Sequence, residues 1–366
     1  MRPSTFLSAG VKINCHTNEP GGTPFREAVQ KDNAPDDEGG RVPLGDPRPG
    51  RSNVSDMPGV VIVGGGPAGL TCATTLARAG VRVAVVDREG LGGRLVNADQ
   101  VYDIPDVASG TSGAEAAGRL AEAVVEAGVR VEFAEVETIA RAKSESMWTV
   151  AFGSESITAG TVVMASGSRP TPLSVPGADR LEGRGISYCP ACDGPLFKGK
   201  DVVVLLGDEW GADETVQVAR SVRSVRALIH PDADPRLERH LDRLADLPGV
   251  SVERDVVLRA VLGDSVVSGI SVAVRGEAQT MATEGIFSSL RTTPNAELVA
   301  DAVRLDKAGA IMVDEPFRTS AAGLFAIGEA RGGNAGTAAE AIADGRALAL
   351  QLTRGLPSAA GSVQVG

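Results

Sequence analysis

The chain has 366 residues, 43% of them hydrophobic, which is enough to bury one full core and leaves room for a second. A formal net charge of −11, with no run of Lys and Arg, excludes the basic surface typical of nucleic-acid-binding proteins. Four scattered cysteines exclude a secreted disulfide framework, and no apolar stretch approaches the roughly 18 to 20 residues of a membrane span. We therefore expect a cytoplasmic protein that binds neither nucleic acid nor membrane.

The sequence predicts a disordered tail over residues 1–57 and a second tail over residues 357–366. The first tail is rich in Pro, Gly and mixed charge without apolar periodicity, and such segments cannot bury enough apolar surface to fold. Order is predicted to begin at Val60–Val63, because a short β-branched run is typical of a buried parallel strand.

A nucleotide-binding βαβ unit follows from this first strand. The sequence predicts a Gly-rich turn, a helix over Pro67–Ala79 and a strand over Val81–Val86 that ends in Asp87. Alternation of strand and helix in this way is typical of a parallel sheet covered by helices.

A second copy of this pattern predicts a second core. A strand and its turn are expected over Val202–Gly207 and a strand over Val225–Ile229, joined by a helix that runs to about Val222. A strand at Leu324–Ile327 and a helix from about Thr337 would complete the first core. The predicted fold class is α/β, with two Rossmann-like, three-layer nucleotide-binding domains, the second inserted into the first. The predicted boundaries are 58–174 and 292–356 for the first domain and 175–291 for the inserted domain.

The turn after the first strand reads Gly64-Gly65-Gly66-Pro67-Ala68-Gly69 and fits the G-x-G-x-x-G pattern of a dinucleotide-binding loop. In this pattern the first glycine permits a tight turn, the second lets the backbone approach a pyrophosphate, and the third lets helix pack on strand. Asp87, about 20 residues further on, would accept hydrogen bonds from a ribose. A tight turn without a ligand is the alternative; the surrounding strand, helix and acid favour the dinucleotide.

Two thiols separated by two residues occur at Cys189-Pro190-Ala191-Cys192, with Asp193 beside them. Such a pair can close and open a disulfide, and a neighbouring carboxylate can move protons, so reversible redox chemistry is the leading interpretation. The alternatives are a zinc site, which would need about four ligands, and an inert disulfide or pair of buried thiols. We predict no metal site.

Cys72 and two histidines lie outside these motifs. Cys72 is predicted to be a small buried core residue, because it falls between Leu70 and Leu76 in the first helix. His230 and His240 belong to the second core and have no obvious chemical partner in the sequence.

Five segments of the chain form a larger pattern: Gly64–Gly69; Gly92-Gly93-Arg94-Leu95 with Ile104-Pro105; Val163-Met164-Ala165-Ser166-Gly167; Tyr188–Gly194; and Leu324–Glu329. Together they resemble the thioredoxin reductase family, the low-molecular-weight branch of the pyridine nucleotide-disulfide oxidoreductases. The resemblance covers roughly Pro58–Thr353, and the cysteine segment is its most specific part.

This resemblance implies FAD in the first core, electron exchange at the cysteine pair and a homodimer. Cys189 would be the thiol that exchanges with the substrate, Cys192 the thiol that faces the flavin, and Asp193 the proton donor and acceptor. The residues expected to bind FAD are Gly64, Gly66, Pro67, Ala68, Gly69, Asp87, Gly92, Gly93, Arg94, Leu95, Ala165, Gly167, Gly328, Glu329 and Ala338.

The chain departs from the family at three positions near the predicted flavin. Arg94 replaces the usual Gln, Asp103 replaces Asn, and Glu329 replaces Asp. Because Glu and Asp accept hydrogen bonds alike, we expect FAD binding to be kept, with a changed affinity or redox potential.

The second nucleotide loop, Gly207-Asp208-Glu209-Trp210-Gly211-Ala212, replaces the family's G-G-G-N-S-A. Glu209 stands where the second glycine of G-x-G belongs, so its side chain would displace a pyrophosphate and the carboxylates would repel it. Downstream, His230-Pro231-Asp232 replaces the family's basic H-R-R segment, which grips the 2′-phosphate of NADPH. We therefore predict that NADPH is not the electron donor; the alternative is a diverged core that still binds it.

The leading hypothesis is a flavoenzyme that passes electrons between FAD and a dithiol or disulfide substrate, either a small molecule or a thioredoxin-like protein, without NADPH. Oxygen is the favoured acceptor, which makes the enzyme a dithiol oxidase. The alternatives are an NADPH-dependent thioredoxin-disulfide reductase, a ferredoxin-dependent flavin thioredoxin reductase and a non-catalytic flavin redox sensor. The net acidic charge disfavours an acidic ferredoxin, and Asp193 disfavours the sensor, which needs no proton-transfer group.

Overall fold

The computed structural model of the protein describes residues 58–102, 104–144, 146–290, 292–314, 317–334 and 336–355, so both predicted tails and Asp103 lie outside the described residues. The strands of the described part are β1 (Val60–Val63), β2 (Val83–Asp87), β3 (Arg130–Phe133), β4 (Thr138–Arg141), β5 (Trp148–Phe152), β6 (Glu155–Ala159), β7 (Thr161–Met164), β8 (Ser168–Pro170), β9 (Ile186–Ser187), β10 (Asp201–Leu206), β11 (Ser224–Ile229), β12 (Val250–Glu253), β13 (Val256–Leu262), β14 (Gly269–Val274), β15 (Glu277–Ala282), β16 (Gly285–Ser289), β17 (Thr292–Pro294) and β18 (Leu324–Ala326). The α-helices are α1 (Pro67–Arg78), α2 (Gly113–Glu126), α3 (Ala178–Leu181), α4 (Pro190–Asp193), α5 (Glu209–Ala219), α6 (Leu241–Ala245) and α7 (Ala338–Gly355). Short 3-10 helices cover Gly93–Asn97, Gly194–Phe197, Pro235–His240, Glu297–Val299 and Gly328–Ala330.

The first core is built on a parallel sheet of five strands in the order β18-β7-β1-β2-β3. Side chains alternate across β1: Val61 and Val63 pack towards the antiparallel sheet β4-β5-β6, while Val60 and Ile62 pack towards α1 and α7. All four side chains are at most 6% exposed, which explains why this strand is hydrophobic throughout. The core therefore has three layers, with helices on one face of the sheet and an antiparallel sheet on the other.

The second core repeats this arrangement on a parallel sheet in the order β12-β11-β10-β16-β9. Val203 and Leu205 of β10 pack towards the antiparallel sheet β13-β14-β15, and Val202 and Val204 pack towards α5 and α6. The predicted α/β class with two three-layer nucleotide-binding cores is confirmed.

A short antiparallel ladder marks where the chain passes between the cores. Strand β8 pairs with β17, with Pro170 opposite Thr292, and the hydroxyls of Thr171 and Thr293 meet at 2.7 Å beside the ladder. Strands β9 to β16 all lie between these two strands in the chain, so the second core is inserted into the first. The domain boundaries assigned from the sequence remain predictions.

Two predicted elements differ from expectation by two residues or more at one end. Strand β2 starts two residues later than predicted, because the N–H of Val81 bonds to the carbonyl of Leu76 at 3.0 Å and closes the end of α1. Helix α5 ends at Ala219, because the N–H groups of Arg220 and Ser221 bond only three residues back, at 3.4 and 2.9 Å, and the N–H of Arg223 then donates to the carbonyl of Lys200 at 2.8 Å.

Helices α1 and α7 cross closely on one face of the first sheet. A Cβ added to Gly345 at this crossing would lie 2.3 Å from the carbonyl oxygen of Ala68, so only glycine allows the helices to approach this far. Although α7 has 18 residues, neither it nor any other helix in the described ranges is long and apolar enough to cross a membrane.

Replacing Gly345 with Ala is expected to destabilise the protein, because the added methyl group would overlap the backbone of α1. We expect the free energy of unfolding, measured by chemical denaturation, to fall by about 1–3 kcal/mol. Gly118→Ala in α2 is the matched control: no atom lies within 4 Å of the added Cβ, so stability should rise by about 0.5–1 kcal/mol. Equal effects of the two changes would contradict the close crossing of α1 and α7.

Candidate active site

Two glycines of the loop between β1 and α1 serve the packing of the fold. Gly64 has a φ of +109°, and a Cβ there would lie 2.2 Å from the carbonyl oxygen of Ala165 at the end of β7. A Cβ at Gly69 would lie 2.0 Å from the carbonyl oxygen of Gly64. Glycine is therefore required at both positions whether or not a ligand binds.

Gly66 differs, because open space rather than protein faces it. A Cβ at this position would meet no atom within 4 Å. Gly66 is also the N-cap of α1: no side chain caps the helix there, Pro67 begins it, and the first turn has no acidic residue. The positive end of the helix is thus left available for an anion, as a dinucleotide pyrophosphate requires, and the loop fits the predicted FAD.

Asp87 holds this loop in shape. Its Oδ2 accepts the N–H of Gly65 at 2.6 Å, and its Oδ1 accepts the N–H groups of Glu89 and Gly90 at 2.9 and 2.8 Å. A carboxylate offers about four acceptor sites, so one is left for the ribose contact predicted from the sequence. The loop-holding role is additional to that prediction, which no contact in the structure tests.

The segment after β2 folds back onto the Gly loop. Gly92 and Gly93 have φ values of +112° and +54°, and the N–H of Gly92 donates to the carbonyl of Gly65 at 2.7 Å. A Cβ at Gly93 would lie 3.0 Å from the Cα of Gly66. Leu95 is 4% exposed and anchors the following 3-10 turn in the core. These predicted cofactor residues therefore surround the open side of the loop.

Arg94 and Glu329, two of the departures from the family, are partners. Arg94 Nη1 lies 3.1 Å from both carboxylate oxygens of Glu329. Ser168 completes the cluster, because its hydroxyl accepts from Arg94 at 3.0 Å and donates to Glu329 at 2.9 Å. The cation at position 94 thus compensates the carboxylate at position 329. Neither substitution, taken alone in the sequence, indicated this pairing.

A buried ion pair next to Glu329 was not found from the sequence. Asp344 is 5% exposed, and it accepts the N–H of Gly328 at 2.9 Å and two hydrogen bonds from Arg331 at 2.7 and 2.8 Å. Asp344 lies at helical spacing between the buried Ala341 and Leu348, so a charged residue on the buried face of α7 was the available signal. The pair fixes the turn that presents Gly328 and Glu329.

The other predicted cofactor residues lie around the same loop. Gly167 has a φ of +62° and open space beside it, a Cβ at Gly328 would lie 3.1 Å from the Cβ of Ala68, and Ala338 begins α7 beside Leu95. The fold therefore brings together the residues assigned to FAD, although their contacts with the cofactor remain predictions.

Cys189 and Cys192 form a disulfide, with their Cα atoms 5.3 Å apart. Cys189 is the N-cap of α4, and its Sγ accepts the N–H of Cys192 at 3.2 Å. Cys192 is exposed, whereas Cys189 is partly buried. Exposure in this arrangement does not separate the substrate-facing thiol from the flavin-facing thiol, so the two roles remain predictions.

Two neighbours hold the cysteine segment in place. The hydroxyl of Ser187 donates to Asp193 Oδ2 at 2.7 Å, and the hydroxyl oxygen of Tyr188 accepts the N–H of Leu173 at 2.9 Å. Desolvation raises the pKa of Tyr188, so its hydroxyl stays protonated. The cysteine turn is thereby attached to the segment through which the chain enters the second core.

The second nucleotide loop lies beside the cysteine pair, because α4 packs against α5. Asp208 is the N-cap of α5, and its Oδ1 accepts the N–H of Gly211 at 3.0 Å. Desolvation raises the pKa of Asp208, while the hydrogen bond from Gly211 opposes that shift. The N-terminal end of α5 thus already has a side-chain acceptor for one of its free N–H groups, whereas the N-terminal end of α1 has none.

Glu209 is enclosed by side chains from the 3-10 helix Pro235–His240. Arg239 pairs with it directly, His240 Nε2 lies 3.1 Å from Oε1, and Arg236 Nε lies 3.7 Å from Oε2. Desolvation acts to raise the pKa of Glu209, but the hydrogen bonds with His240 and Arg239 lower it overall. The expectation that His240 lacks a chemical partner was wrong, because this 3-10 helix folds back onto α5.

Trp210 connects the two cores. Its ring lies under the Arg94 guanidinium, 5.3 Å from the ring centroid, and its Nε1 donates to Glu214 Oε1 at 2.8 Å. Ser289, at the end of β16, donates to the other oxygen of Glu214. Desolvation raises the pKa of Glu214 to about 7, with the hydrogen bonds from Ser289 and Trp210 opposing the shift.

Cys72 is confirmed as a core residue. It is 0% exposed, and burial raises the pKa of its thiol to about 12, so it stays protonated and unreactive. Within the described ranges, no group of three or more His, Cys, Asp or Glu side chains is arranged to hold a metal ion.

Comparison with known proteins identifies the family. A family model described as pyridine nucleotide-disulphide oxidoreductase matches residues 58–345. The chain belongs to this family. A thioredoxin reductase of Treponema pallidum (strain Nichols) is 33% identical to the oxidoreductase over 275 residues, which are 74% of this chain and 88% of the relative. An NADH dehydrogenase of Bacillus subtilis (strain 168) is 33% identical over 74% of this chain but only 53% of its own length, so the oxidoreductase spans about half of that protein.

A solved structure gives the same result for the fold of the oxidoreductase. The crystal structure of Lactococcus lactis thioredoxin reductase in its FR conformation superposes with a TM-score of 0.76 at 26% identity, covering 82% of this chain and 100% of the other. The resemblance inferred from the motifs is therefore confirmed, and the oxidoreductase is an enzyme of the FAD-dependent disulfide oxidoreductase class.

Gly66→Ala and Gly64→Ala should separate cofactor binding from folding. Gly66 has a φ of −77° and open space around it, so alanine should leave stability near wild type while its methyl group weakens FAD binding. Gly64→Ala, where φ is +109°, should cost more than about 1 kcal/mol of unfolding free energy. FAD titration of the apoprotein and chemical denaturation measure the two effects; unchanged FAD affinity in Gly66→Ala would contradict this loop as the pyrophosphate site.

Glu214→Gln should change how stability depends on pH. The folded pKa of about 7 lies above the ordinary value of 4.5, so the stability that protonated Glu214 contributes is complete below about pH 4.5 and is lost as pH rises through 7. Gln keeps the shape of the side chain without titrating. The unfolding free energy of the variant relative to that of the wild type should therefore rise by about 2 kcal/mol between pH 5 and pH 8. Denaturation at both pH values measures this. The exposed Asp213→Asn on the same helix is the control and should show no such gain.

Proposed function

We propose that the oxidoreductase passes two electrons from a dithiol substrate to bound FAD through Cys189 and Cys192, without NADPH, and that oxygen is the final acceptor. Asp193 takes and returns the protons of the thiols. The substrate is a small-molecule dithiol or a thioredoxin-like protein that presents one. The net reaction converts a dithiol and one oxygen molecule into a disulfide and one hydrogen peroxide, which balances two electrons and two protons.

The observation that carries this proposal is the contrast between the two nucleotide loops. The N-terminal end of α1 has no side-chain cap and has open space at Gly66, whereas Asp208 caps the N-terminal end of α5. Glu209 also occupies the Arg236, Arg239 and His240 cluster, so a carboxylate of the chain stands where an anionic ligand would be expected. A pyridine nucleotide would have to displace both carboxylates before its phosphates could bind.

The exchange at the cysteine pair follows from ordinary thiol chemistry. A substrate thiolate attacks the sulfur of Cys189 and releases Cys192 as a thiolate; the second substrate thiol then attacks the mixed disulfide and releases Cys189. Each attacking thiol loses a proton, which Asp193 can accept and pass on because it lies beside the turn that carries both cysteines. When bound, FAD supplies the two-electron acceptor that oxygen regenerates.

An NADPH-dependent thioredoxin-disulfide reductase is the second candidate. The relative from Treponema pallidum is named as a thioredoxin reductase and matches over 88% of its length. In addition, Arg236 and Arg239 could hold a phosphate if Glu209 moved away. This candidate requires the acidic loop to rearrange, whereas the dithiol oxidase does not.

Anaerobic titration of the FAD-loaded protein distinguishes the two candidates. Dithiothreitol should bleach the flavin absorbance rapidly, NADPH should not, and admission of air should restore the flavin with one peroxide per bleached flavin. The double substitution Asp208→Gly with Glu209→Gly should tighten NADPH binding by about tenfold, because it removes two negative charges from the N-terminal end of α5. Asp213→Asn on the same helix is the charge control and should leave NADPH binding unchanged. Rapid bleaching of the wild type by NADPH would refute the oxidase.

A further inference from the structure

Ser187 connects both ends of the cysteine helix. It is the last residue of β9, is 3% exposed, and pairs in register with Phe287 of the parallel sheet. Its hydroxyl oxygen accepts the N–H of Cys189 at 3.1 Å, and the hydroxyl donates to Asp193 Oδ2 at 2.7 Å. One side chain, fixed by the sheet, therefore contacts the residue before α4 and the last residue of α4.

The direction of these hydrogen bonds is determined by the groups involved. A backbone N–H can only donate, so the Ser187 oxygen is the acceptor for Cys189. The hydroxyl has one proton, which is directed to Asp193. The Ser187 hydroxyl thereby fixes the position of Asp193 Oδ2 beside the turn that carries both cysteines.

We propose that Ser187 is a positioning residue for proton transfer at the Cys189–Cys192 disulfide. It holds the Asp193 side chain beside the cysteine turn, where a carboxylate can take a proton from an incoming thiol. The proposal rests on the proposed function, since it concerns the attack of a substrate thiol on Cys189. In that step the sulfur–sulfur bond between the cysteines breaks, a bond between substrate sulfur and Cys189 forms, and the thiol proton passes to Asp193.

The position of Ser187 favours this role over simple filling of the core. An apolar residue of similar size would occupy the same space in β9 but would supply neither hydrogen bond. The backbone of α4 is already closed without Ser187, because the N–H groups of Cys192 and Asp193 both bond to the carbonyl of Cys189, at 3.1 and 3.0 Å. The hydroxyl therefore acts on the Asp193 side chain and on the entrance to the helix.

The test is the anaerobic reaction of the FAD-loaded protein with dithiothreitol. We would record the rate of flavin bleaching by rapid mixing and count alkylated cysteines by mass spectrometry after an acid quench. Ser187→Ala should react about tenfold more slowly, the order expected for the loss of one hydrogen bond to a charged group. Ser187→Thr, which keeps the hydroxyl, should restore most of the rate. Thermal denaturation of each variant checks that it is folded.

A double-mutant cycle separates positioning from a structural effect. If Ser187 acts through Asp193, adding Ser187→Ala to Asp193→Asn should cause no further slowing, because the carboxylate that it orients is gone. A full additional tenfold loss in the double variant, or a wild-type rate in Ser187→Ala, would overturn the proposal while leaving the proposed function intact. A wild-type disulfide that dithiothreitol does not open would refute both, and the count of alkylated cysteines shows this directly.

Discussion

The backbone N–H groups in the first turn of α1 receive no side-chain cap, and the first core is arranged around this open helix end. Position 64 requires glycine because any Cβ would overlap the backbone, and Gly66 leaves open space in front of the helix end. Asp87 accepts three hydrogen bonds that hold the shape of the loop. An open helix end attracts an anion, so we expect the residues around it to form the walls of a dinucleotide site. We expect FAD binding to depend on this one electrostatic feature.

The second core has the same layers and the same strand-turn-helix unit, but the N-terminal end of its helix α5 is capped by a side chain. Asp208 supplies a cap from within the chain, and Glu209 is held by Arg239 and His240. At equivalent positions, the N-terminus of α1 therefore lacks a side-chain cap and that of α5 has one. A fold that is duplicated does not imply a function that is duplicated, because ligand binding depends on the few side chains at the helix end.

Several departures from the family act as one connected set. Arg94 pairs with Glu329 in the first core and stacks on Trp210 of the second, and Trp210 donates to Glu214. Without its partner, Arg94 or Glu329 would be a partly buried charge. Together they satisfy one another through contacts between the two cores, so single reversions to the family residue should be less well tolerated than joint ones.

The two nucleotide units, the inserted order of the cores and the Cys-x-x-Cys motif could be predicted from the sequence, because strand hydrophobicity, glycine spacing and cysteine spacing are local patterns. The sequence did not predict the partners of Glu209, the buried pair of Asp344 with Arg331, or the hydroxyl of Ser187 on Asp193. The residues in two of these contacts lie 13 to 31 positions apart, and the third depends on how the strand before the cysteines turns into α4. Tertiary packing alone decided these contacts, since side chains from separate elements meet only after the layers have assembled.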